Sequence, residues 1–269
     1  MRNLQGKIVV LTGAGSGIGR ALAQQLAAEG ATLILNDYNT ETLAETVTKI
    51  NSNMEQHVFD VADLKSWETL KAEVIQRYGH VDIVINNAGV ALGELSVVET
   101  ELEQIEWLMG INFWGVVYGT RCFLPTLLEQ PEASIVNISS VFGLAGIANQ
   151  STYCTSKFAV RGFTESLRME MLDTNLCVTT VHPGGIQTNI VRNARDPHEA
   201  RKKQTIKNFE KLAITSADKA AQTIIKGIKK KKQRVLIGKD AFALDRVVRW
   251  FPVWYSRLFF NRMKKVKGK

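Results

Sequence analysis

Residues Thr12 to Gly19 read T-G-A-G-S-G-I-G, and their flanks restrict the fold more than any other stretch of the chain. Before them, Lys7 to Thr12 (K-I-V-V-L-T) form a short apolar run suited to a buried parallel strand. After them, Ile18, Leu22 and Leu26 recur with helical spacing as far as Gly30. Strand, glycine turn and helix open a βαβ unit. The glycines allow a tight turn and close backbone approach to a pyrophosphate, which sits at the helix N-terminus. Thr32 to Leu35 form a second strand ending in Asn36-Asp37. Asp37 lies eighteen residues past Gly19, where a ribose-binding carboxylate is expected.

The alternation continues. Strands are predicted near 7–12, 31–36, 56–59, 81–85, 133–139, 176–181 and 234–237, with helices between them. The longest helices are predicted near 101–129 and 150–173. Strictly alternating strands and helices imply an α/β fold with a doubly wound, seven-stranded parallel sheet and helices on both faces. The 269 residues, 45% of them apolar, suit one well-buried domain. We place that domain at 1–239 and a basic, aromatic-rich extension at 240–269. Cys122, Cys154 and Cys177 are scattered and odd in number, as expected of thiols in a reducing, cytoplasmic compartment. The four histidines show no metal-ligand spacing, so no metal is expected. No signal peptide is expected ahead of the first strand. The uncharged stretch Ala133 to Ser156 is rich in Ser, Asn and Gly, which fits a strand and loop rather than a membrane span.

Tyr153 and Lys157 form a Tyr-x-x-x-Lys pair (Y-C-T-S-K), one turn apart on a predicted helix, and Ser140 lies thirteen positions before the tyrosine. A free phenol titrates near pH ~10, too high for proton exchange near neutrality. A neighbouring ammonium and the positive charge of an oxidised nicotinamide both favour the phenolate. Lowering the pKa by about three units needs roughly 4 kcal/mol, which a close cation in a partly dry cleft can supply. Tyr153 is then expected to serve as a general acid or base. Cys154 is adjacent, but helical geometry turns it about 100° away, and it receives no role.

Taken together, these motifs resemble the short-chain dehydrogenase/reductase family, over about residues 5 to 238. The family's cofactor motif T-G-x-x-x-G-x-G appears as Thr12, Gly13, Gly17 and Gly19. Its N-N-A-G motif appears as Asn86, Asn87, Ala88 and Gly89, and its helix asparagine as Asn112. Family spacing from serine to tyrosine selects Ser140 over Ser139. Pro183-Gly184, with Thr188 beyond, matches the motif after the sixth strand, and Asp60 matches an aspartate that contacts the adenine amino group. The resemblance implies a Rossmann-type fold and a catalytic set of Asn112, Ser140, Tyr153 and Lys157. It implies cofactor contacts from Gly13, Ser16, Gly17, Ile18, Gly19, Asp37, Asp60, Val61, Asn87, Ala88, Gly89, Tyr153, Lys157, Pro183, Gly184, Ile186 and Thr188. It further implies a homodimer or homotetramer paired through the two long helices. Tyr153 would exchange the substrate proton while hydride passes directly to or from nicotinamide C4. Asn112 would hold a water linking Lys157 to solvent.

Physical arguments refine these expectations. A carboxylate at Asp37 accepts hydrogen bonds from free ribose hydroxyls and repels a 2′-phosphate, by roughly 4 kcal/mol per charge pair at about 4 Å in an effective dielectric near 20. Ser16 and Tyr38 stand where NADP-using relatives place a basic residue, so NAD is expected over NADP. Arg20 is expected to point elsewhere. Val90-Ala91-Leu92, Val141 to Ile147, Ile186, Ile190 and Val191 predict a pocket for an apolar alcohol, ketone or aldehyde. Residues 186–213 read as a lid, with Phe209 and Leu212 able to face inward and Arg192 and Arg195 able to reach the pocket. From Lys226 onward there are fifteen Lys/Arg against two Asp, so this end carries +13 and the remainder −5. Its aromatic segment, Asp240 to Phe260, is too charged to span a bilayer and fits either an amphipathic, kinked membrane-surface helix or packing on the domain. Nucleic acid is not an expected partner. An NAD(H)-dependent alcohol–carbonyl oxidoreductase is the leading reading. A 3-oxoacyl or acyl thioester reductase and a catalytically idle NAD-binding membrane scaffold are the alternatives.

Overall fold

The computed structural model describes residues 1, 3–50 and 52–257. Leu258 to Lys269, the end of the aromatic segment and the basic tail, lie outside the described residues. The chain opens as β1 (Ile8–Thr12), α1 (Gly17–Ala28), β2 (Thr32–Asp37), α2 (Thr40–Val47), β3 (Met54–Val58), α3 (Leu64–Tyr78) and β4 (Ile83–Asn86). It continues through α4 (Leu102–Met109), a π-helical turn (Gly110–Trp114), α5 (Gly115–Leu128), β5 (Ala133–Ile138), a 3₁₀ turn (Val141–Gly143) and α6 (Ser151–Glu170). Then follow β6 (Leu176–Pro183), β7 (Ile186–Gln187), α7 (Glu199–Leu212), β8 (Thr215–Ser216), α8 (Ala217–Lys229), β9 (Arg234–Ile237) and α9 (Lys239–Trp250).

Seven strands form one parallel sheet in the order β3-β2-β1-β4-β5-β6-β9. All seven expected strands are present, with bounds shifted by at most two residues. The short parallel pair β7 and β8 has no counterpart in the sequence reading. Strand order reverses between β1 and β4. In open α/β sheets that switch point leaves a crevice beyond the carboxyl ends of the strands, where ligands bind.

Alternation along each strand divides the core between two faces. Val9 and Leu11 of β1 join Leu22 and Leu26 of α1, Leu43 of α2 and Ile224 of α8. Ile8 and Val10 join Trp67 of α3, Phe123 of α5 and Leu167 of α6 on the other face. Trp67 is fully buried. Its ring meets Phe59 and Phe123 edge-on, and its indole N–H donates to the Val61 carbonyl at 2.9 Å.

The expected long helix at 101–129 is α4 and α5 joined by the π turn. One extra residue in the turn shifts the ladder where Asn112 sits. The Asn112 side chain is satisfied outside its own helix: Oδ1 accepts from Val90 N at 2.8 Å and Nδ2 donates to Val90 O at 3.0 Å. No helix among the described residues is long and apolar enough to cross a membrane. Trp67→Ala should lower the unfolding free energy by about 3–5 kcal/mol, because its indole fills the space between two layers. Urea denaturation of wild type and variant checks this.

Candidate active site

The cofactor-side motifs converge at the switch point. Thr12 Oγ1 accepts from both Asn87 N and Ala88 N at 3.0 Å, and Asn87 Nδ2 donates to Thr12 O at 2.9 Å. These bonds tie the end of β1 to the end of β4. The turn then passes through positive φ at Gly13 and Gly17 (65° and 51°), a region that favours glycine. A Cβ on Gly19 would stand 1.9 Å from the Gly13 carbonyl oxygen. Ser16 is the N-cap of α1 but makes no capping bond to it, and the first turn holds no acidic side chain. The turn therefore offers helix-terminal N–H groups and a cradle that side chains would fill, which fits a pyrophosphate. Ile18 packs against the core behind it.

Asp37 is buried at the end of β2. Its Oδ2 accepts from Gly15 N at 2.8 Å and its Oδ1 from Asn39 N at 3.0 Å, so the carboxylate is aimed at the glycine turn. Arg20 does not point elsewhere: its guanidinium folds back on the glycine turn, donating to Gly15 O at 2.6 Å, to Thr46 Oγ1 at 2.9 Å and to Glu45 at 2.8 Å. Tyr38 is exposed beside Asp37. Asp60 is exposed and accepts from Ala62 N at 2.9 Å, and Val61 is buried beneath it. Pro183 ends β6, Ile186 is buried, and the Thr188 methyl group lies 3.0 Å from where a Gly17 Cβ would stand. Backbone N–H of Gly184 donates to Ile237 O at 2.9 Å.

The second cluster lies across the same crevice. Ser139 and Ser140 follow β5 and divide their roles. Ser139 is buried and its hydroxyl donates to Lys157 O at 2.8 Å. Ser140 caps the 3₁₀ turn through Phe142 N at 3.1 Å, and its hydroxyl lies close enough to that of Tyr153 to favour the phenolate. Lys157 is buried, with Nζ 3.1 Å from Ile138 O and 5.7 Å from the Tyr153 ring centre. A Cβ on Gly89 would stand 3.3 Å from both Asn112 Oδ1 and Lys157 Nζ, so these two groups meet across a glycine. Asn112 Nδ2 also donates to Ser156 Oγ at 3.2 Å, and Ser156 donates to Tyr153 O at 2.8 Å.

The pKa expectation needs correcting. Tyr153 keeps part of its surface open, but its hydroxyl lies deep, and burial pushes it up to about 12 against the opposing effect of Ser140. Burial also brings Lys157 down to about 8. Desolvation penalises both charged forms, and the lysine by itself does not outweigh it.

Apolar groups lie beside the phenol ring. Phe142 meets it edge-on at 6.0 Å, and Tyr153 packs on a buried cluster of Leu92, Leu95 and Leu108 that Val90 and Trp107 also touch. The lid is fastened here: Gly93 N donates to Arg195 O, Arg195 N to Ala91 O, and the Arg195 guanidinium lies 3.6 Å above the Trp107 ring. Two lid expectations fail. Arg192 is drawn off by Glu210, whereas Arg195 stays at the pocket wall, stacked on Trp107. Phe209 lines a cavity of about 370 Å³ between α7 and residues 187–192, whereas Leu212 is 72% exposed. A larger groove of about 670 Å³, between α3 and α5, contains none of the predicted site residues. Cys154 is buried, with Sγ toward Ala145 O.

His182 was missed by sequence reasoning. It is fully buried in β6 with Nδ1 3.0 Å from the carbonyl oxygen of Ser140, so it braces the backbone there. A histidine in a strand gives no such signal by itself. Only the pairing of β5 with β6 brings the two together.

The short chain dehydrogenase family model matches residues 7–199. The putative oxidoreductase SadH of Mycobacterium tuberculosis is 42% identical over 265 residues, 96% of this chain and 95% of SadH. The 3-oxoacyl-[acyl-carrier-protein] reductase FabG of Thermotoga maritima is 34% identical over 201 residues, 74% of this chain and 80% of FabG. A short-chain dehydrogenase/reductase of Burkholderia phymatum, solved in complex with NAD, is 28% identical, with a TM-score of 0.85 over 93% of this chain and 95% of that one. The chain belongs to the short-chain dehydrogenase/reductase family and is an oxidoreductase that uses a nicotinamide cofactor.

Burial lowers His182 to about 4, so it is neutral in the folded protein near neutrality. Below pH ~6.5 the unfolded chain takes up a proton that the folded chain refuses until about pH 4. Stability should therefore fall as pH drops through this window, by up to about 3 kcal/mol. Urea midpoints between these pH values should show the slope, and His182→Asn should flatten it.

Proposed function

We propose that the protein is an NAD(H)-dependent oxidoreductase interconverting an apolar alcohol and its ketone or aldehyde. The apolar residues beside the Tyr153 ring carry this reading: Phe142 meets it edge-on, it packs on the cluster of Leu92 and Leu95 that Val90 and Trp107 also touch, and Arg195 stacks on Trp107 while Arg192 pairs with Glu210. Bound NAD would supply the hydride-exchanging carbon and, when oxidised, a positive charge favouring the phenolate.

The chain's own residues do the rest. Ser140 and Tyr153 hydrogen-bond the substrate oxygen. Tyr153 donates a proton during reduction and accepts one during oxidation. With its hydroxyl held at about 12, the protein alone keeps the phenol protonated, ready to donate. Lys157 is positioned to bind the nicotinamide ribose, and Asn112 to hold a water between Lys157 and solvent. The glycine turn, Asp60, Val61, Asn87, Ala88, Gly89, Pro183, Gly184, Ile186 and Thr188 hold the dinucleotide. Asp37 selects NAD, since a buried carboxylate facing the turn repels a 2′-phosphate. A second copy would pair along the α4–α5 segment and α6, where Trp114, Leu128, Phe158 and Met169 are exposed. The protein would act in the cytoplasm.

Tyr153→Phe should abolish NAD-linked turnover while leaving dinucleotide affinity within about threefold of wild type. A variant that keeps more than a few per cent of activity contradicts the assignment. Asp37→Asn should move the NAD:NADP ratio of kcat/KM toward NADP by about tenfold or more. Across a chain-length series of alcohols and carbonyls, kcat/KM should rise with length. Turnover of 3-oxoacyl thioesters alone would favour the second reading.

A further inference from the structure

The inner face of α9 is fully committed. Ala241 and Leu244 are buried against Val141 and Ala145, with Val248 and Tyr255 beside them. Backbone N–H of Gly146 donates to the Tyr255 hydroxyl at 3.1 Å, so the chain beyond α9 is pinned to the same loop. The acidic side chains of α9 are also engaged. Asp240 accepts from Gly185 N at 2.7 Å, and Asp245 holds Arg234 at 3.0 Å and Arg249 at 3.2 Å.

The outer face is different. At helical spacing, Phe242, Arg246, Arg249 and Trp250 share the side opposite Ala241, Leu244 and Val248. The chain then presents Phe251, Val253 and Trp254, and Arg257 lies 5.1 Å over the Trp254 ring. Trp250 is 78% exposed and Trp254 62%, far more than large apolar rings usually are. Exposed aromatics interleaved with arginines form an apolar patch with a positive rim. From Arg246 to the last residue the sequence has eight Lys/Arg and no Asp or Glu.

We propose that this face, from Phe242 to Arg257, docks the protein onto an anionic lipid bilayer. Tryptophan rings settle at the headgroup level, and arginines meet lipid phosphates and carboxylates. The charge argues for lipid over a second copy of this chain, whose equivalent face would repel it. Docking would also set the active site beside the bilayer. The loop that α9 clamps contains Phe142, whose ring meets Tyr153. Binding stands on this surface alone and does not require the substrate assignment.

The test is co-sedimentation of the full-length protein with phosphatidylcholine vesicles, with and without phosphatidylserine. Wild type should bind only when phosphatidylserine is present, and salt should weaken the binding. Trp250→Ser/Phe251→Ser/Trp254→Ser and, separately, Arg246→Glu/Arg257→Glu should each reduce the partition coefficient by about tenfold or more. Both should keep the wild-type melting temperature and dinucleotide affinity. Tyr153→Phe should bind vesicles like wild type, which separates failure of docking from failure of the catalytic reading. The proposal is overturned if wild type ignores phosphatidylserine, or if the aromatic variant binds undiminished. It is equally overturned if the aromatic variant changes only the oligomeric state in ultracentrifugation.

Discussion

The carbonyl oxygen of Gly13 faces Gly19 so closely that a single added carbon would stand 1.9 Å away. This contact between the turn and the first helix sets much of the site. It brings the N-terminus of α1 down to the carboxyl end of β1. Thr12 and Asn87 then bind that end to β4 across the switch point. Asp37, from the neighbouring strand, closes the turn through Gly15 N. The glycine turn and the cluster of Ser140, Tyr153 and Lys157 thus face one crevice because strands from both halves of the sheet end there.

The opposite wall depends on a local departure from regular structure. The π turn at Gly110–Trp114 sets Asn112 where its amide satisfies both backbone groups of Val90. From there Asn112 reaches Ser156, and Ser156 reaches the backbone of Tyr153. His182 acts likewise on Ser140 from β6. Asn112, Ser140 and the backbone of Tyr153 are therefore held by buried hydrogen bonds rather than by ion pairs. In so dry a site, burial controls the charge states. It raises Tyr153 and lowers Lys157, opposite to what the pair would suggest in water.

The same loop links chemistry to surface. Residues 141–147 carry Phe142 toward Tyr153 on one side and receive α9 and Tyr255 on the other. Of the two fates weighed for the aromatic extension, packing describes its inner residues. Its tryptophans remain outside because Ala241, Leu244 and Val248 already fill the contact.

Strand positions, strand number, the glycine turn and the spacing of Ser140, Tyr153 and Lys157 were legible in the chain. The strands, the turn and the Tyr153–Lys157 pair depend on short-range periodicity or residues one turn apart, where geometry follows from local backbone rules, whereas the choice of Ser140 rests on the spacing of the family motif. Asp37 belongs with them, because a strand of known length carries it to the crevice. The division of labour between Ser139 and Ser140, the bracing by His182 and the π turn at Asn112 were decided by tertiary structure. So were the tethering of Arg195 to Trp107, the exposure of Leu212 and the direction of the Tyr153 shift. All of these turn on which distant groups meet and how much water they exclude, and no local pattern carries either quantity.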